Sequence, residues 1–157
     1  MTRTVYLAGP ITACDHREAN DWRSVMQGRL EAHGITGISP LRCEPLVGDR
    51  YDTSHPDPRF GTWEAIASKN FLDVQLCDMT VAYFPADLTE RDGISSGTLA
   101  ELAWGFALRK PTLRVSTHPK VTKHPVITAC SSWKLSTLDE ALDVIVGVLG
   151  DYAKGVS

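Results

Sequence analysis

Short apolar runs alternate with segments of helical periodicity along this chain, and that alternation limits its fold more than any other feature. Four runs are typical of buried strands: residues 4–8, 35–39, 79–84 and 112–116. A shorter fifth run lies near residues 132–135. Apolar residues recur at helical spacing in four further segments: residues 17–33, 62–76, 99–108 and 138–149. Strands that alternate with helices predict a doubly wound α/β fold with a parallel sheet of about five strands.

Three stretches fall outside this alternation. Residues 41–61 are rich in Pro, Asp, Gly and Arg, and they are predicted to form a flexible loop that is too polar for the core. Residues 116–132 are predicted to be irregular, and residues 150–157 to form a C-terminal tail. Because the chain has 157 residues, we expect a single domain over residues 1–157.

Composition excludes several classes of function. The net charge of −3 supplies no global positive field, so a nucleic acid polymer is not an expected partner. No window approaches the roughly 18 apolar residues of a membrane span. The histidines show no HExxH motif, and neither a metal nor a cofactor is predicted. Four scattered cysteines without a CxxC pair indicate free thiols and a cytoplasmic protein: Cys14, Cys43, Cys77 and Cys130.

One segment has the most specific functional pattern. Residues 92–111, DGISSGTLAELAWGFALRKP, come after the apolar run MTVAYFP at residues 79–85, so a polar loop is predicted to connect a buried strand to an apolar helix. In an open α/β sheet, anionic or sugar-bearing ligands bind at such a connection. Glu101 lies in the first turns of this helix among apolar neighbours, where a charge needs a functional explanation. The loop also contributes four small residues: Ser95, Ser96, Gly97 and Thr98.

Five segments together indicate a family. They are VYLAGPI at 5–11, NDWR at 20–23, ISPLR at 38–42, NFLDVQLCD at 70–78 and SSGTLAELAWGFALRKP at 95–111. As a set, they resemble the nucleoside 2-deoxyribosyltransferase superfamily, including its nucleotide N-glycosidase branch, over nearly the whole chain. The resemblance implies a flavodoxin-like sheet and an enzyme that acts on the N-glycosidic bond of a small-molecule nucleoside or nucleotide. It also implies a homodimer or a higher homo-oligomer.

The resemblance assigns the nucleophile to Glu101, the glutamate of an SxGxxxE segment. In the family this residue attacks the anomeric carbon and forms a covalent glycosyl-enzyme, as the nucleophile of a retaining glycosidase does. Tyr6 matches the aromatic residue that holds the nucleophile by a hydrogen bond. Gly9, Pro10 and Ile11 match the loop that lines the pocket for the base and the sugar.

Asn70 departs from the family pattern, in which many members have an aspartate that is implicated in proton transfer to the base. An amide cannot donate a catalytic proton, although it can orient Glu101 and hydrogen-bond the base. Asp73 lies about one helical turn later and is an alternative acid. Protonation of the leaving base by solvent is the other alternative.

Ser95 bears on the choice of substrate. Family members that act on free nucleosides tend to have an acid at this place, where it accepts a hydrogen bond from the 5′-hydroxyl. A neutral serine beside the amides of a helix N-terminus instead favours a 5′-phosphate, and the nucleotide N-glycosidases resemble this chain here. Asp92, three residues earlier, remains available as the acid, which keeps a nucleoside substrate open.

The secondary candidates are basic residues. Arg42 follows the second predicted strand, and it is predicted either to meet a phosphate or base or to form a salt bridge. His124 lies where family members reach into the pocket of a neighbouring subunit. Arg23 and Lys123 are further candidates without a more specific prediction.

Sequence reasoning leaves several functions open. The first is cleavage of a (deoxy)ribonucleoside 5′-monophosphate or nucleoside through glycosyl-Glu101, with Ser95 favouring the monophosphate and hydrolysis. The second is base exchange on free deoxynucleosides. The third is a nucleotide-binding sensor without turnover, which Asn70 makes conceivable. An NAD-type glycohydrolase is disfavoured because the chain has no dinucleotide motif.

Overall fold

The computed structural model describes residues 1–44, 46, 48–52 and 57–150. Part of the predicted loop and the predicted tail beyond residue 150 therefore lie outside the described residues. The elements are β1 (Arg3–Ala8), α1 (His16–Glu31), β2 (Ile35–Ile38), a 3-10 turn (Pro40–Cys43), α2 (Trp63–Leu76), β3 (Met79–Tyr83), α3 (Ala86–Asp92), α4 (Ser96–Ala107), β4 (Thr112–Val115), α5 (Pro119–Thr122), α6 (Pro125–Ala129), β5 (Trp133–Leu135) and α7 (Leu138–Leu149).

The five strands form one parallel sheet in the order β2-β1-β3-β4-β5. From β1 the chain moves to one edge through α1 and β2, and then it returns past β1 and continues to the other edge. The direction reverses between β1 and β3. In doubly wound sheets, ligands bind outside the carboxyl ends of the strands at such a switch point. The predicted doubly wound fold with five strands is confirmed.

Side chains of each strand alternate between two faces of the sheet, and helices cover both faces. Val5 and Leu7 of β1 pack with Val81 and Leu113 against α1 and α7. The residues between them face α2, α4, α5 and α6, and Tyr6 is one of these. Tyr6 therefore points from β1 toward the helix layer that contains the polar segment singled out in the sequence.

Helix α4 lies close to the sheet because of Gly105. A Cβ at this position would come within 3.0 Å of both Thr112 Cγ2 and Thr80 Oγ1. The absence of a side chain thus lets the helix backbone approach β3 and β4 directly. Glu101 lies one helical turn before Gly105, so this close approach also brings Glu101 against the sheet.

Two connections that were predicted without helices contain short ones. Helix α3 separates β3 from the polar loop, and α5 and α6 occupy much of the stretch predicted to be irregular. These helices have seven, four and five residues, which is too short for helical periodicity to be visible in the sequence. Pro119 and Pro125 begin α5 and α6, at positions where a missing amide costs no hydrogen bond.

The segment predicted to be a polar loop contributes to a third, smaller core. Leu41 and Tyr51 are buried together with Cys14, Ala19 and Leu88. The Tyr51 amide donates a hydrogen bond to the Cys14 carbonyl at 2.8 Å, which fixes the segment beside α1. The prediction that this segment is too polar for the core was wrong at these positions. The segment is polar on average, but it contains two large apolar residues, Leu41 and Tyr51, that are buried.

Neither a metal centre nor a helix suited to a bilayer is found among the described residues. No cluster of three or more His, Cys, Asp or Glu side chains there could hold an ion. The helices in the same ranges are all too short or too polar to cross a membrane. Three cysteines have described side chains, and they are buried free thiols: Cys14, Cys77 and Cys130.

Candidate active site

The switch point between β1 and β3 contains two buried polar side chains. Tyr6 is fully buried on β1, and Glu101 projects from α4 with 5% of its surface exposed. The Tyr6 hydroxyl donates a hydrogen bond to Glu101 Oε2. The sequence predicted both residues, and the fold brings them together. We refer to Tyr6 and Glu101 as the buried pair.

Burial dominates the electrostatics of the buried pair. It raises the pKa of Glu101 to about 7, whereas the hydrogen bond from Tyr6 and the charges of Arg23 and Lys69 act to lower it. Burial, and then the Glu101 carboxylate, also raises the pKa of Tyr6, so the hydroxyl keeps its proton at neutral pH. Carboxyl groups whose pKa is raised by burial to near neutral pH are frequent in active sites.

The turn after β1 is shaped by Gly9. A Cβ here would lie 2.6 Å from Trp22 Cζ2 and 3.2 Å from Arg23 Nη2, so a larger residue does not fit. Arg23 Nη2 also donates a hydrogen bond to the Gly9 carbonyl at 2.9 Å. Pro10 and Ile11 continue the turn and are partly buried. These three predicted pocket residues therefore lie at the carboxyl end of β1, where a ligand of this fold binds.

Ser95 is the N-cap of α4. Its Oγ accepts hydrogen bonds from the amide and the hydroxyl of Thr98, at 3.3 and 2.8 Å, and its own proton is used in neither bond. Ser96 and Gly97 are exposed in the first turn, where amides have no acceptor within the helix. The start of α4 therefore offers one hydroxyl and two backbone amides, which is the kind of donor set that binds anions.

Helix α2 adds a polar cluster beside the buried pair. Both Asp73 oxygens accept hydrogen bonds from Arg42 at 2.5 Å, and Asp73 is 6% exposed. Lys69 lies 3.9 Å from Asp73 and donates to the backbone of the 3-10 turn at 2.6 Å. Asn70 Oδ1 is buried without a hydrogen-bond partner in the described part of the chain. Of the two roles predicted for Arg42, the structure contains the salt bridge.

Two predicted binding residues make their contacts elsewhere. Asp92 ends α3, and its carboxylate lies 2.8 Å from Arg91, which also contacts Glu18 at 2.7 Å. His124 is the N-cap of α6, and its Nδ1 accepts a hydrogen bond from the Ile127 amide at 3.3 Å. Within the described ranges, neither side chain bonds to the buried pair, so the binding roles of Asp92 and His124 stay predictions.

Two charged residues that act on Glu101 were not predicted from the sequence. Lys69 and Glu44 have opposite effects on the pKa of Glu101, and their side chains lie 3.8 Å apart. The spacing of Lys69 four residues before Asp73 on a helix could have indicated a charge pair. No local pattern marks Glu44, because its position depends on the 3-10 turn after β2.

Comparison with known proteins agrees with this fold. The family model described as nucleoside 2-deoxyribosyltransferase matches residues 5–145. No curated protein sequence matches the chain. A solved structure of the CMP N-glycosidase BcmB from Clostridium botulinum is similar, with a TM-score of 0.53 and 17% sequence identity. The match covers 94% of this chain and 100% of that chain, and at this identity it shows the shared fold alone.

The doubly wound sheet defines an α/β protein, and its buried carboxylate lies at the switch point, where ligands of such sheets bind. The chain belongs to the nucleoside 2-deoxyribosyltransferase family, whose model covers most of its length. It is therefore an enzyme that acts on the glycosyl bond of nucleosides or nucleotides. The family resemblance found in the sequence motifs is confirmed.

Proposed function

We propose that the protein cleaves the N-glycosidic bond of a (deoxy)ribonucleoside 5′-monophosphate or nucleoside through a covalent glycosyl-Glu101 intermediate. The supporting observation is the buried pair, which holds one carboxylate at the ligand-binding edge of the sheet. Among the described residues, no cation forms an ion pair with Glu101. Its negative charge is therefore available to the positive charge that develops on the sugar in the transition state.

The reaction proceeds in two steps. Glu101 Oε1 attacks the anomeric carbon, the C1′–N bond breaks, and its electron pair leaves with the base. Water then adds to C1′, Glu101 leaves as a carboxylate, and the proton lost by water balances the proton taken up by the base. Because Tyr6 binds Oε2, it orients the carboxylate and leaves Oε1 to react. The attacking carboxylate must be ionised, so the rate rises with pH through the pKa of Glu101, about 7.

The leaving base is protonated by solvent in this mechanism. Asp73 is a poor donor, because both its oxygens accept hydrogen bonds from Arg42. Asn70 lies on the same helix, and its buried Oδ1 lacks a partner in the described structure. Asn70 therefore binds the base or the sugar as a hydrogen-bond acceptor, without supplying a proton.

A 5′-monophosphate is the preferred substrate in this proposal, and water is the preferred acceptor. Ser95 is neutral and keeps a hydroxyl proton to donate, and Ser96 and Gly97 add free amides at the start of α4. These donors favour a phosphate over a neutral 5′-hydroxyl. An aspartate at position 95 would repel the same phosphate.

The test measures free base released from dCMP, CMP, dGMP, GMP and the matching nucleosides, with and without an added acceptor base. The proposal predicts release from monophosphates that needs no acceptor. Release from none of these substrates, together with tight binding of one of them, would instead support a sensor.

Base exchange on free deoxynucleosides is the second candidate function. The matched family model, described as nucleoside 2-deoxyribosyltransferase, favours it. In the same assay, exchange predicts a new nucleoside when the acceptor base is added and little free sugar. Equal amounts of free sugar with and without the acceptor would exclude exchange as the main reaction.

We also propose a homodimer that uses α2 and α4. Trp63 and Phe106 are 70% and 53% exposed, and Phe71 packs against Trp104 with 5.4 Å between the ring centroids. The two helices thus present neighbouring apolar side chains to solvent, as subunit interfaces do. Light scattering during gel filtration should give a dimer mass for the wild type and a monomer mass for Phe106→Asp. A monomeric wild type would contradict the proposal.

A further inference from the structure

Arg23 is a charged side chain in the interior of the protein, with 1% of its surface exposed. Its guanidinium donates hydrogen bonds to three backbone carbonyls, those of Leu7 at 3.0 Å, Gly9 at 2.9 Å and Ala19 at 2.5 Å. It also lies 4.7 Å from the centre of the Trp22 ring. No acidic side chain in the described ranges lies within ion-pair distance of it. Arg23 is therefore a buried cation with only neutral partners.

Two of these carbonyls belong to the end of β1 and the turn that follows. Tyr6 immediately precedes Leu7, so the bonds of Arg23 hold the stretch of backbone from which the Tyr6 side chain projects. Tyr6 in turn binds Glu101. A continuous series of contacts therefore connects the Arg23 guanidinium to the proposed nucleophile.

The charge of Arg23 acts on the same residues. Burial lowers the pKa of Arg23 to about 10, and Glu101 is the largest influence that opposes this shift. Arg23 remains charged at neutral pH, and it lowers the pKa of both Glu101 and Tyr6. Because no acid pairs with Arg23, its charge is stabilised most by the ionised form of Glu101, the acid that acts on it most strongly.

The two other charged groups that act on Glu101 have opposite effects on its pKa. Lys69 approaches from α2, and Glu44 follows the 3-10 turn. Lys69 lies 3.8 Å from Glu44 and 3.9 Å from Asp73, so its charge is shared with two acids. Arg23, on α1, has no such acid, and its charge remains available to the buried pair.

We propose that Arg23 is a positioning residue of the active site, which fixes the end of β1 behind Tyr6 and holds a positive charge that favours the ionised form of Glu101. This inference rests on the proposed function, because it concerns the nucleophile of that reaction. It extends that function, because a buried residue of α1 would increase the fraction of enzyme in which Glu101 is ionised at neutral pH.

Three variants separate charge from positioning. Arg23→Gln removes the charge, while Arg23→Lys keeps the charge and loses the fork that binds the Leu7 and Gly9 carbonyls together. Arg17→Gln is the matched control, because Arg17 lies on the same helix, its side chain is 87% exposed, and it pairs only with Asp21 among the described residues. Each variant is titrated by NMR of carboxyl-labelled glutamate, with Glu101→Gln used to assign the signal. Base release is then measured against pH.

Arg23→Gln should move the titration midpoint of Glu101 upward by about one unit. As a result, the rate of base release should fall by ~10-fold more in acid solution than in alkaline solution. Arg23→Lys should leave the midpoint within a few tenths of a unit and should lower kcat across the whole pH range. Arg17→Gln should change neither quantity.

An unchanged midpoint in folded Arg23→Gln would overturn the proposal, and so would an Arg23→Lys variant with wild-type kcat. If Arg23→Gln fails to fold, Arg23→Lys still tests both parts, since a displaced midpoint in that variant would contradict the role of the charge. The NMR titration needs no substrate. A wild type without glycosidic activity would therefore refute the proposed function and leave the effect of Arg23 on Glu101 measurable.

Discussion

The two faces of the sheet differ sharply, although the same strands build both. Toward α1 and α7 the buried side chains of the strands are apolar, and they include Val5, Leu7, Met79, Val81, Leu113 and Val115. Toward α2 and α4 the alternate positions include buried polar groups: Tyr6, Thr80, Thr112 and Arg114. Glu101 completes this polar set from the helix side.

A parallel sheet can place the residues that stabilise the fold and the residues that react on opposite faces. Because side chains alternate, a chain can keep one face apolar and accept the cost of buried polar groups on the other. Thr80 Oγ1 and Arg114 Nε are buried without hydrogen-bond partners in the described structure, and the pKa of Glu101 is raised by burial. Substitutions on the apolar face should change the free energy of unfolding, and substitutions on the polar face should change activity.

The largest expected effect is on the polar face. Glu101→Gln should reduce kcat for base release at least ~10³-fold, because it removes the nucleophile and keeps the side-chain shape. Circular dichroism should be unchanged, since an amide oxygen can still accept the hydrogen bond from Tyr6. A variant that keeps more than about a tenth of wild-type activity would show that Glu101 is not the nucleophile.

Leu113→Ala is the matched change on the apolar face. Leu113 is fully buried, so its truncation should lower the free energy of unfolding by about 2–5 kcal/mol, measured in urea. The kcat of the molecules that remain folded should stay within about twofold of wild type, because Leu113 points away from Glu101. A large loss of kcat at full folding would remove the distinction between the faces.

The free energy of unfolding should depend on pH, because the ionised form of Glu101 is costly to bury. The pKa of Glu101 is about 7 in the folded protein and 4.5 ordinarily. The free energy of unfolding is therefore highest below pH 4.5, where Glu101 is protonated in both states, and it falls as pH rises from 4.5 through 7. This loss amounts to ~3 kcal/mol at alkaline pH. Glu101→Gln should therefore be more stable than wild type at about pH 8 and similar to it near pH 4. Equal stabilities at both pH values would contradict the raised pKa.

A smaller effect is expected for Tyr6→Phe. The variant removes one hydrogen bond to a charged group, so kcat/KM should fall by ~10-fold or somewhat more. Because that bond lowers the pKa of Glu101, the acid limb of the pH–rate profile should also move upward. A fall in kcat/KM without movement of the limb would indicate a packing defect in place of the lost bond.

The smallest expected effect concerns the choice of substrate. Ser95→Asp should lower kcat/KM for monophosphates relative to nucleosides by roughly tenfold, because it places a negative charge beside the phosphate. Ser95→Ala serves as the control, since it removes the hydroxyl without adding charge. Equal loss for both substrate classes in Ser95→Asp would mean that the 5′-group does not bind at the start of α4.

The fold was predictable from the sequence because its elements alternate and each core strand is strongly apolar. Strand β5 was predicted from a short apolar run. Helices α3, α5 and α6 were missed, because each is too short for periodicity to appear. Tyr51 was missed because one buried aromatic residue does not alter the polar average of its segment.

The site was predictable where a motif marks it and unpredictable where tertiary packing creates it. Tyr6 and Glu101 were found through their segments, and the structure brings them into contact. The pairing of Asp73 with Arg42 joins α2 to the 3-10 turn, so no local pattern could favour it over a role as an acid. The burial of Arg23 likewise depends on how α1 packs against the turn after β1.

The covalent intermediate is tested most directly by mass spectrometry of the enzyme quenched during turnover of a deoxynucleoside 5′-monophosphate. A covalent intermediate predicts a protein that is heavier by one 2-deoxypentose 5-phosphate residue, with the added mass on the peptide that contains Glu101. The adduct should be absent from Glu101→Gln. Base release with no adduct, or with an adduct on another residue, would contradict a glycosyl-Glu101 intermediate.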